Sequence, residues 1–179
     1  MSAMQSPAEI RRLGADDAEA FSALRRELTS ENPVPMGLSY EEELTRTLDG
    51  FRAQLSSALP NAVFGAFIAG ELIATAGISR VWQFASSHHK MVMWGVFTSP
   101  RFRRRGLSRH VVDRALQHAF STGAHRVNLQ VYVPNEAALT FYRSIGFTEF
   151  GTEIEAVHLD GRYYDGIHMT IIKDAYRPL

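Results

Sequence analysis

The sequence predicts one domain of the mixed α/β class, built on a sheet that is largely antiparallel in its first half. Strand-like apolar segments alternate with segments whose apolar residues recur every three to four positions. The stretch from Met91 to Val133 has the order strand–helix–strand, which can supply a parallel crossover. A chain of 179 residues is long enough for one substantial core. We therefore expect a single domain over residues 1–179, with its core over residues 7–179.

Amino-acid composition excludes several classes of function before any motif is considered. Lys plus Arg and Asp plus Glu are 19 each, so the net charge is zero, whereas a nucleic-acid-binding chain usually has a basic excess. The absence of cysteine excludes disulfides, thiolate metal sites and a cysteine nucleophile. The segment Met1–Gly14 lacks the apolar region of a signal peptide, and no stretch reaches the ~18 apolar residues of a membrane span. We expect a cytoplasmic protein that acts neither on nucleic acid nor in a membrane.

The first third of the chain predicts one strand and two helices. The strand covers Glu9 to Leu13, and Asp16 with Asp17 opens the first helix. Two prolines and a glycine make residues 29–39 a loop. Ser39 and Glu42 form a capping box for a second helix. The apolar residues of that single helix follow at spacings of four, three and four: Leu44, Leu48, Phe51 and Leu55.

The rest of the chain predicts six strands and two helices. Residues 61–81 form two strands around a tight turn at Gly70. The apolar run Met91–Thr98 is typical of a central strand covered on both faces, in which Gly95 indicates either a bulge or a close backbone approach. A helix runs from Leu107 to near Gly123, and an alternating strand covers residues 126–133. A short helix between Asn135 and Gly146 then precedes two strands joined at Asp160-Gly161.

An arginine-rich loop, "SPRFRRRGLS" (residues 99–108), lies at the predicted junction between the central strand and the next helix. The first backbone N–H groups of a helix have no internal partners, and the helix dipole adds partial positive charge there. Gly106 has no side chain to keep a ligand from the backbone, and Arg103, Arg104 and Arg105 add full charges. The combination suits a pyrophosphate. A solvated basic loop and a nucleic-acid contact are the alternatives.

Two motifs resemble those of the GNAT superfamily of acyl-CoA-dependent N-acyltransferases. Arg103-x-x-Gly106-x-Ser108, preceded by Pro100, resembles the family's Q/R-x-x-G-x-G/A loop, although Ser108 replaces the usual glycine or alanine. Asn135, Tyr142 and the following "SIGF" resemble its N-x-x-A-x-x-F-Y-x-x-x-G-F pattern. The resemblance is strong from about Met91 to Phe150. It implies a GNAT-like fold: a mostly antiparallel sheet, flanked by helices, that splays between its fourth and fifth strands, here Met91–Thr98 and Arg126–Val133.

The resemblance also implies a cofactor site for acetyl-CoA as co-substrate. The pantetheine arm is expected to pair with backbone at Val96, Phe97 and Thr98. The pyrophosphate is expected to bind backbone N–H groups from Arg104 to Arg109. The cofactor-binding residues expected in this segment are Arg103, Arg104, Arg105, Gly106, Leu107, Ser108 and Arg109. Asn135 suits a helix N-cap, and the resemblance adds a contact to the cofactor.

The resemblance assigns Tyr142 as the general acid that protonates the departing thiolate. A phenol with a pKa near ~10 can protonate a thiolate whose conjugate acid has a pKa near ~8.5. The alternative for Tyr142 is an aromatic side chain that only packs beside Phe141. Without cysteine no cysteine acyl-enzyme can form, which favours direct attack by the amine in a ternary complex.

The sequence leaves the general base and the acceptor open. The base candidates are Glu41, Glu42, Glu43, His88 and His89. We expect no metal site, since the His88-His89 pair has no third ligand at a suitable spacing. Met36, Leu38 and Tyr40 either line an acceptor pocket or anchor their loop. The leading hypothesis is an N-acetyltransferase for a primary amine of a small molecule or peptide, with a homodimer as a possible assembly. A non-catalytic acyl-CoA-binding module is the alternative.

Overall fold

The computed structural model describes residues 8–179. Residues 1–7 lie outside the described residues, and with them the expected start of the domain, the expected start of its core and half of the segment searched for a signal peptide. The seven strands are β1 (Glu9–Arg12), β2 (Ala62–Ile68), β3 (Glu71–Ser79), β4 (Lys90–Thr98), β5 (Arg126–Tyr132), β6 (Thr148–Leu159) and β7 (Arg162–Ile172). The α-helices are α1 (Ala18–Glu31), α2 (Tyr40–Thr45), α3 (Leu48–Leu55), α4 (Leu107–Ser121) and α5 (Glu136–Ile145).

All seven strands belong to one mixed sheet, with the order β1-β2-β3-β4-β5-β7-β6. Every neighbouring pair is antiparallel except β4 and β5, which are parallel and joined through α4. The predicted turns at Gly70 and at Asp160-Gly161 close the β2–β3 and β6–β7 hairpins. The predicted mixed α/β class and its one parallel crossover are therefore confirmed.

The prediction of one long helix after Ser39 is wrong. The capping box of Ser39 and Glu42 is present, but α2 ends at Thr45 and a second helix, α3, begins at Leu48. The break is at Thr47, whose hydroxyl accepts a hydrogen bond from the backbone N–H of Gly50 at 3.1 Å and so caps α3. Leu44, which falls before the break, is 47% exposed rather than part of the core.

The predicted loop over residues 29–39 is shorter than expected, because α1 continues to Glu31. Thr29 is buried in its last turns, and its hydroxyl donates a hydrogen bond to the carbonyl of Arg25 at 2.7 Å. Pro33 then begins the loop, which contains one 3-10 turn at Val34–Met36. The last turns of α1 contact the residue after β4, since Ser99 Oγ donates a hydrogen bond to Glu27 Oε1 at 2.9 Å.

Two apolar cores cover the two faces of the sheet. One face packs against α4 and α5 and includes Val111, Leu116 and Ile145. The other packs against α1 and α3 and includes Phe21, Leu28 and Phe51. Along β5, Val127, Leu129 and Val131 are buried, as their alternation predicts. Within residues 8–179 no helix is both long and apolar enough to cross a membrane.

Candidate active-site cleft

The parallel strands β4 and β5 separate after three residue pairs. Pairing runs from Lys90 with Arg126 to Val92 with Asn128, although β4 continues to Thr98 and β5 to Tyr132. The splay expected between the fourth and fifth strands is therefore confirmed. The prediction of a strand covered on both faces is wrong: Met91 and Met93 are buried, but Lys90 and Val92 on the other face are half-buried, and so are residues 94–97 along the opening.

A bulge in β4 accompanies the separation. Thr75 of β3 pairs with Phe97 and Gly77 pairs with Trp94, so β4 has one residue more than β3 over this interval. Gly95 lies in it with φ +60°, a conformation that favours glycine. A Cβ added at Gly95 would meet only Phe97 Cε2, at 3.7 Å. The bulge explains this glycine, and a close backbone approach does not.

The opening contains a cavity of about 610 Å³, and a smaller one of about 90 Å³ is lined by residues 93–97 of β4 and 129–132 of β5. Tyr142, Asn135 and Tyr132 line both. Of the residues that the sequence singles out, those lining the larger cavity are Val96, Phe97, Thr98, Arg103, Ser108, Asn135, Tyr142 and Met36. The two motifs, about 30 residues apart in the chain, thus meet at one site.

The edge of β4 toward β5 is left without a strand partner from Met93 to Thr98. On its other edge, β4 pairs with β3 at Phe97 and Thr98. An extended ligand in the opening can therefore form hydrogen bonds with backbone groups on this free edge, as a β-strand does. Thr98 Oγ1 lies 2.6 Å from Ser108 Oγ, which ties the end of β4 to the first turn of α4. This contact gives the serine in the last position of the loop motif a structural role.

Backbone N–H groups are open at the start of α4. Gly106 is the N-cap with φ +77°, and Arg104 also has a left-handed φ of +63°. The N–H groups of Leu107 and Ser108 find no acceptor in the described part of the chain. Successive N–H groups in such a conformation at a helix N-terminus form an anion-binding concavity. The N–H of Arg109, by contrast, donates to the carbonyl of Gly106 at 3.0 Å.

The arginine side chains have different surroundings. Arg103 lines the larger cavity, donates from Nε to the Thr98 carbonyl at 3.3 Å and lies 4.0 Å from Glu31. Arg104 is exposed. Arg105 lies over the ring of Phe102 at 5.1 Å. Arg109 donates from Nη1 to the carbonyl of Ser144 at 3.0 Å, so it joins α4 to α5.

Tyr142 is buried in the wall of the cleft. Its side chain is 8% exposed, and its ring packs edge-on against Phe141 at 5.2 Å and Phe147 at 5.5 Å. No group within residues 8–179 forms a hydrogen bond with its hydroxyl. Burial raises the pKa of Tyr142 above its ordinary value, so the phenol keeps its proton at neutral pH.

Asn135 caps α5: its Oδ1 accepts a hydrogen bond from the backbone N–H of Ala138 at 3.2 Å. The capping interpretation is therefore confirmed. The cap uses one lone pair of the oxygen and leaves the amide nitrogen of Asn135 available to donate to a ligand in the cavity.

None of the five base candidates lines either cavity. Glu43 is fully buried in a bidentate ion pair with Arg25, at 2.7 and 2.8 Å. Glu42 is part of the capping box and Glu41 is exposed. Nε2 of His88 contacts the carbonyl of Gln83 at 3.0 Å, in the β3–β4 connection with the exposed His89. Among the described residues, Glu31 is the one carboxylate that lines the larger cavity.

Five cavity-lining polar side chains were not singled out as site residues from the sequence: Glu31, Asn32, Gln130, Tyr132 and Tyr164. Gln130 and Tyr132 occupy alternate positions of β5 that point away from the core. The alternation of polar and apolar residues along this strand is the sequence feature from which they could have been identified. Burial, and then the Glu153 carboxylate, raises the pKa of Tyr132. No group of three His, Asp or Glu side chains suited to a metal occurs between residues 8 and 179. Leu38 and Tyr40 do not line the cavities.

Comparison with known proteins identifies the family. Residues 21–147 match the family model described as acetyltransferase (GNAT) family. The chain is 30% identical to the N-alpha-acetyltransferase RimI of Mycobacterium tuberculosis over 92% of this chain and 89% of that protein. It is also 30% identical to the spermidine N(1)-acetyltransferase of Vibrio cholerae, where the match spans 49% of this chain and 51% of that protein.

Solved structures show the same fold. An acetyltransferase of the GNAT family from Streptococcus pneumoniae superposes with a TM-score of 0.84 at 20% identity, over 93% of this chain and 99% of that one. A protein from Salmonella typhimurium, solved with acetyl-CoA, has a TM-score of 0.78 at 18% identity, over 97% of this chain and 98% of that one.

Proposed function

The chain belongs to the GNAT family of acetyltransferases, and we propose from this membership and from its cleft that it transfers an acetyl group from acetyl-CoA to a primary amine. The observation that carries the proposal is the separation of β4 from β5 after Val92, which opens a cavity with Tyr142 in its wall and the start of α4 at its mouth. The relatives named above act, by their names, on spermidine or on protein N-termini. We propose an acceptor of one of these two kinds.

The residues present fit acetyl-CoA. The open N–H groups of Leu107 and Ser108, the helix dipole and Arg103 suit the pyrophosphate. The unpaired edge of β4 around Val96 and Phe97 suits the amide groups of the pantetheine arm. Acetyl-CoA supplies a thioester, whose acyl carbon an unprotonated amine attacks directly, since the chain has no cysteine to form an acyl-enzyme.

Tyr142 provides the proton in this proposal. Its raised pKa keeps the phenol protonated, and Tyr142 lines both cavities in the opening between the strands, which supports this role. A departing thiolate with a conjugate-acid pKa of ~8.5 accepts a proton from such a donor. Packing of α5 against β5 and β7 holds the ring, so the geometry is preorganised.

Calorimetric titration with acetyl-CoA tests the cofactor site, with dephospho-CoA and adenosine as partial ligands. Arg103→Ala removes one charged contact to the phosphates, and we expect acetyl-CoA to bind about 10- to 100-fold more weakly. Arg101→Ala is the matched control, because Arg101 belongs to the same loop but pairs with Glu71, and neither residue lines the cavity. Equal binding by Arg103→Ala and Arg101→Ala would contradict the phosphate role of Arg103.

Acetylation of spermidine and of a short peptide with a free N-terminus then tests the transfer. Detection of the acetylated amine by mass spectrometry, together with release of free CoA, supports the proposal. A protein that binds acetyl-CoA and acetylates neither amine would instead fit a non-catalytic acyl-CoA-binding module.

A further inference from the structure

A chain of polar side chains runs from the smaller cavity across the sheet. Gln130 of β5 lines that cavity, and its Nε2 donates to Glu153 Oε2 of β6 at 2.9 Å. The same Glu153 oxygen accepts from His168 Nε2 of β7 at 3.2 Å. The Phe150 ring lies 5.7 Å from that of His168. Gln130 therefore has a fixed partner on the side away from the cavity.

The contact with Glu153 determines which way the Gln130 amide faces. A carboxylate accepts hydrogen bonds and donates none, so the NH₂ group of Gln130 must face Glu153. The amide oxygen Oε1 then lies on the other side of the amide group. A side chain that is otherwise free to turn is thus held with its acceptor available to the cleft.

Gly166 makes room for this arrangement. It pairs with Tyr132 in the β5–β7 ladder, and a Cβ added there would lie 2.0 Å from Gln130 Nε2 and 2.8 Å from its Cδ. Such distances are far inside van der Waals contact, so any residue with a side chain at position 166 would displace the amide. Gln130 can cross β7 to reach Glu153 because this residue is glycine.

Alternate residues of β5 lie on opposite faces of the sheet. Leu129 and Val131 are buried on the face covered by α4 and α5, the side from which Tyr142 approaches. Gln130 and Tyr132 point to the opposite face. An amine that enters the opening from that face meets Gln130 first. The proton donor, Tyr142, lies on the other side of the opening.

We propose that Gln130 binds the acceptor amine, whose N–H donates to Gln130 Oε1, and that Glu153 and Gly166 are positioning residues that orient this amide. The proposal rests on the proposed function, since it names the acceptor subsite of that reaction. The substrate class is a primary amine, whose nitrogen presents several N–H donors. Glu153 acts here as a hydrogen-bond acceptor and not through its charge.

The test compares variants in steady-state kinetics with spermidine and with the N-terminal peptide as probes. Gln130→Met keeps the length of the side chain without its amide, and we expect the KM for the amine to rise about tenfold. The kcat should change less than about twofold, as expected when a contact made equally in the ground and transition states is lost. Calorimetric affinity for acetyl-CoA should stay unchanged.

Two substitutions at position 153 separate orientation from charge. Glu153→Met removes the acceptor, so it should raise the KM for the amine as Gln130→Met does, and the double variant should be no worse than either single one. Glu153→Gln keeps an acceptor oxygen and should stay close to wild type. Glu149→Met is the control, because Glu149 lies on the same strand and pairs with Arg143, and neither lines a cavity.

Gly166→Ala should match Gln130→Met, and the melting curve of each variant shows whether it folds. An unchanged amine KM in Gln130→Met, additive effects in the double variant, or a Glu153→Gln variant as impaired as Glu153→Met would overturn the subsite while leaving the proposed function intact. A wild-type protein that binds acetyl-CoA but turns over neither probe would overturn both.

Discussion

Replacement of Tyr142 by phenylalanine separates catalysis from packing. The substitution removes one hydroxyl from a side chain that is 8% exposed and leaves the ring in place against Phe141 and Phe147. No hydrogen bond to this hydroxyl is formed within the described residues, so Tyr142→Phe breaks no contact of the fold. The expected result is an unchanged affinity for acetyl-CoA and a kcat lower by about 10²- to 10⁴-fold, the usual contribution of a general acid.

The pH dependence gives a second measure of the same role. Burial raises the pKa of Tyr142 above the ordinary value of 10.0. The acid is active while protonated, and its activity is lost as pH rises through the raised pKa. Wild-type kcat should therefore show no decline caused by Tyr142 between about pH 8 and pH 10. An unshifted tyrosine would be half ionised at the upper end of this range.

The assay follows CoA release at saturating amine and acetyl-CoA, with binding measured separately by calorimetry. Tyr163→Phe is the matched control: it loses the same hydroxyl from a side chain that is 60% exposed and lies outside both cavities. If Tyr142→Phe kept a kcat within about threefold of wild type, Tyr142 would not be the acid. A decline of wild-type kcat below about pH 10 that is absent from Tyr142→Phe would contradict the raised pKa. If Tyr142→Phe still binds acetyl-CoA, a lower kcat in this variant reflects the chemical step and not a damaged cofactor site.

Two further substitutions test how the cleft is held. Glu43→Gln leaves Arg25 buried without a charged partner and with Arg46 nearby, so we expect a loss of about 3–5 kcal/mol and a melting temperature lower by about 10 °C. Glu41→Gln, on the same helix but exposed, should melt as wild type, and equal melting of the two variants would contradict this reasoning. Gly106→Ala forces an L-residue to φ +77°, at about 1–2 kcal/mol, and should also weaken acetyl-CoA binding in calorimetry. Gly70→Ala has a similar φ of +81° in a hairpin away from the cavities, so it should share the loss of stability and bind acetyl-CoA normally.

Elements with strong local signals could be predicted from the sequence. The helix α5 lies between the side-chain cap of Asn135 and the left-handed Gly146, as the residues indicate. The β6–β7 hairpin closes at Asp160-Gly161, where both residues have positive φ. The break between α2 and α3 was missed because the apolar spacing continues through it. Thr47 can belong to a helix or cap one, and only the tertiary position of Leu44, which is exposed, decides between them.

Each of the two motifs is local, and part of each lies at the cleft, whereas Arg104, Arg105, Gly106, Leu107 and Arg109 line neither cavity. Arg103, Ser108, Asn135 and Tyr142 all line the larger cavity. The contact between Gln130 and Glu153 could not be predicted in this way. It joins residues 23 positions apart and depends on β7 lying between β5 and β6. A bulge in the pairing of β6 with β7 begins beside Glu153, and no spacing in the sequence gives that register.

The apolar run of β4 shows why burial alone is a poor guide at a cleft. Burial alternates in the first part, where Met91 and Met93 are buried and Val92 is half-buried, whereas all of residues 94–97 are half-buried, although they belong to the same apolar stretch. The difference arises from the neighbouring strands: β4 stays paired with β3 while β5 stays paired with β7. With a bulge at Gly95 the two parts of the sheet diverge, and apolar side chains that would otherwise meet β5 become the wall of a cavity. An apolar strand that ends in a bulge next to a parallel partner is therefore better explained by a ligand-binding opening than by a fully covered core.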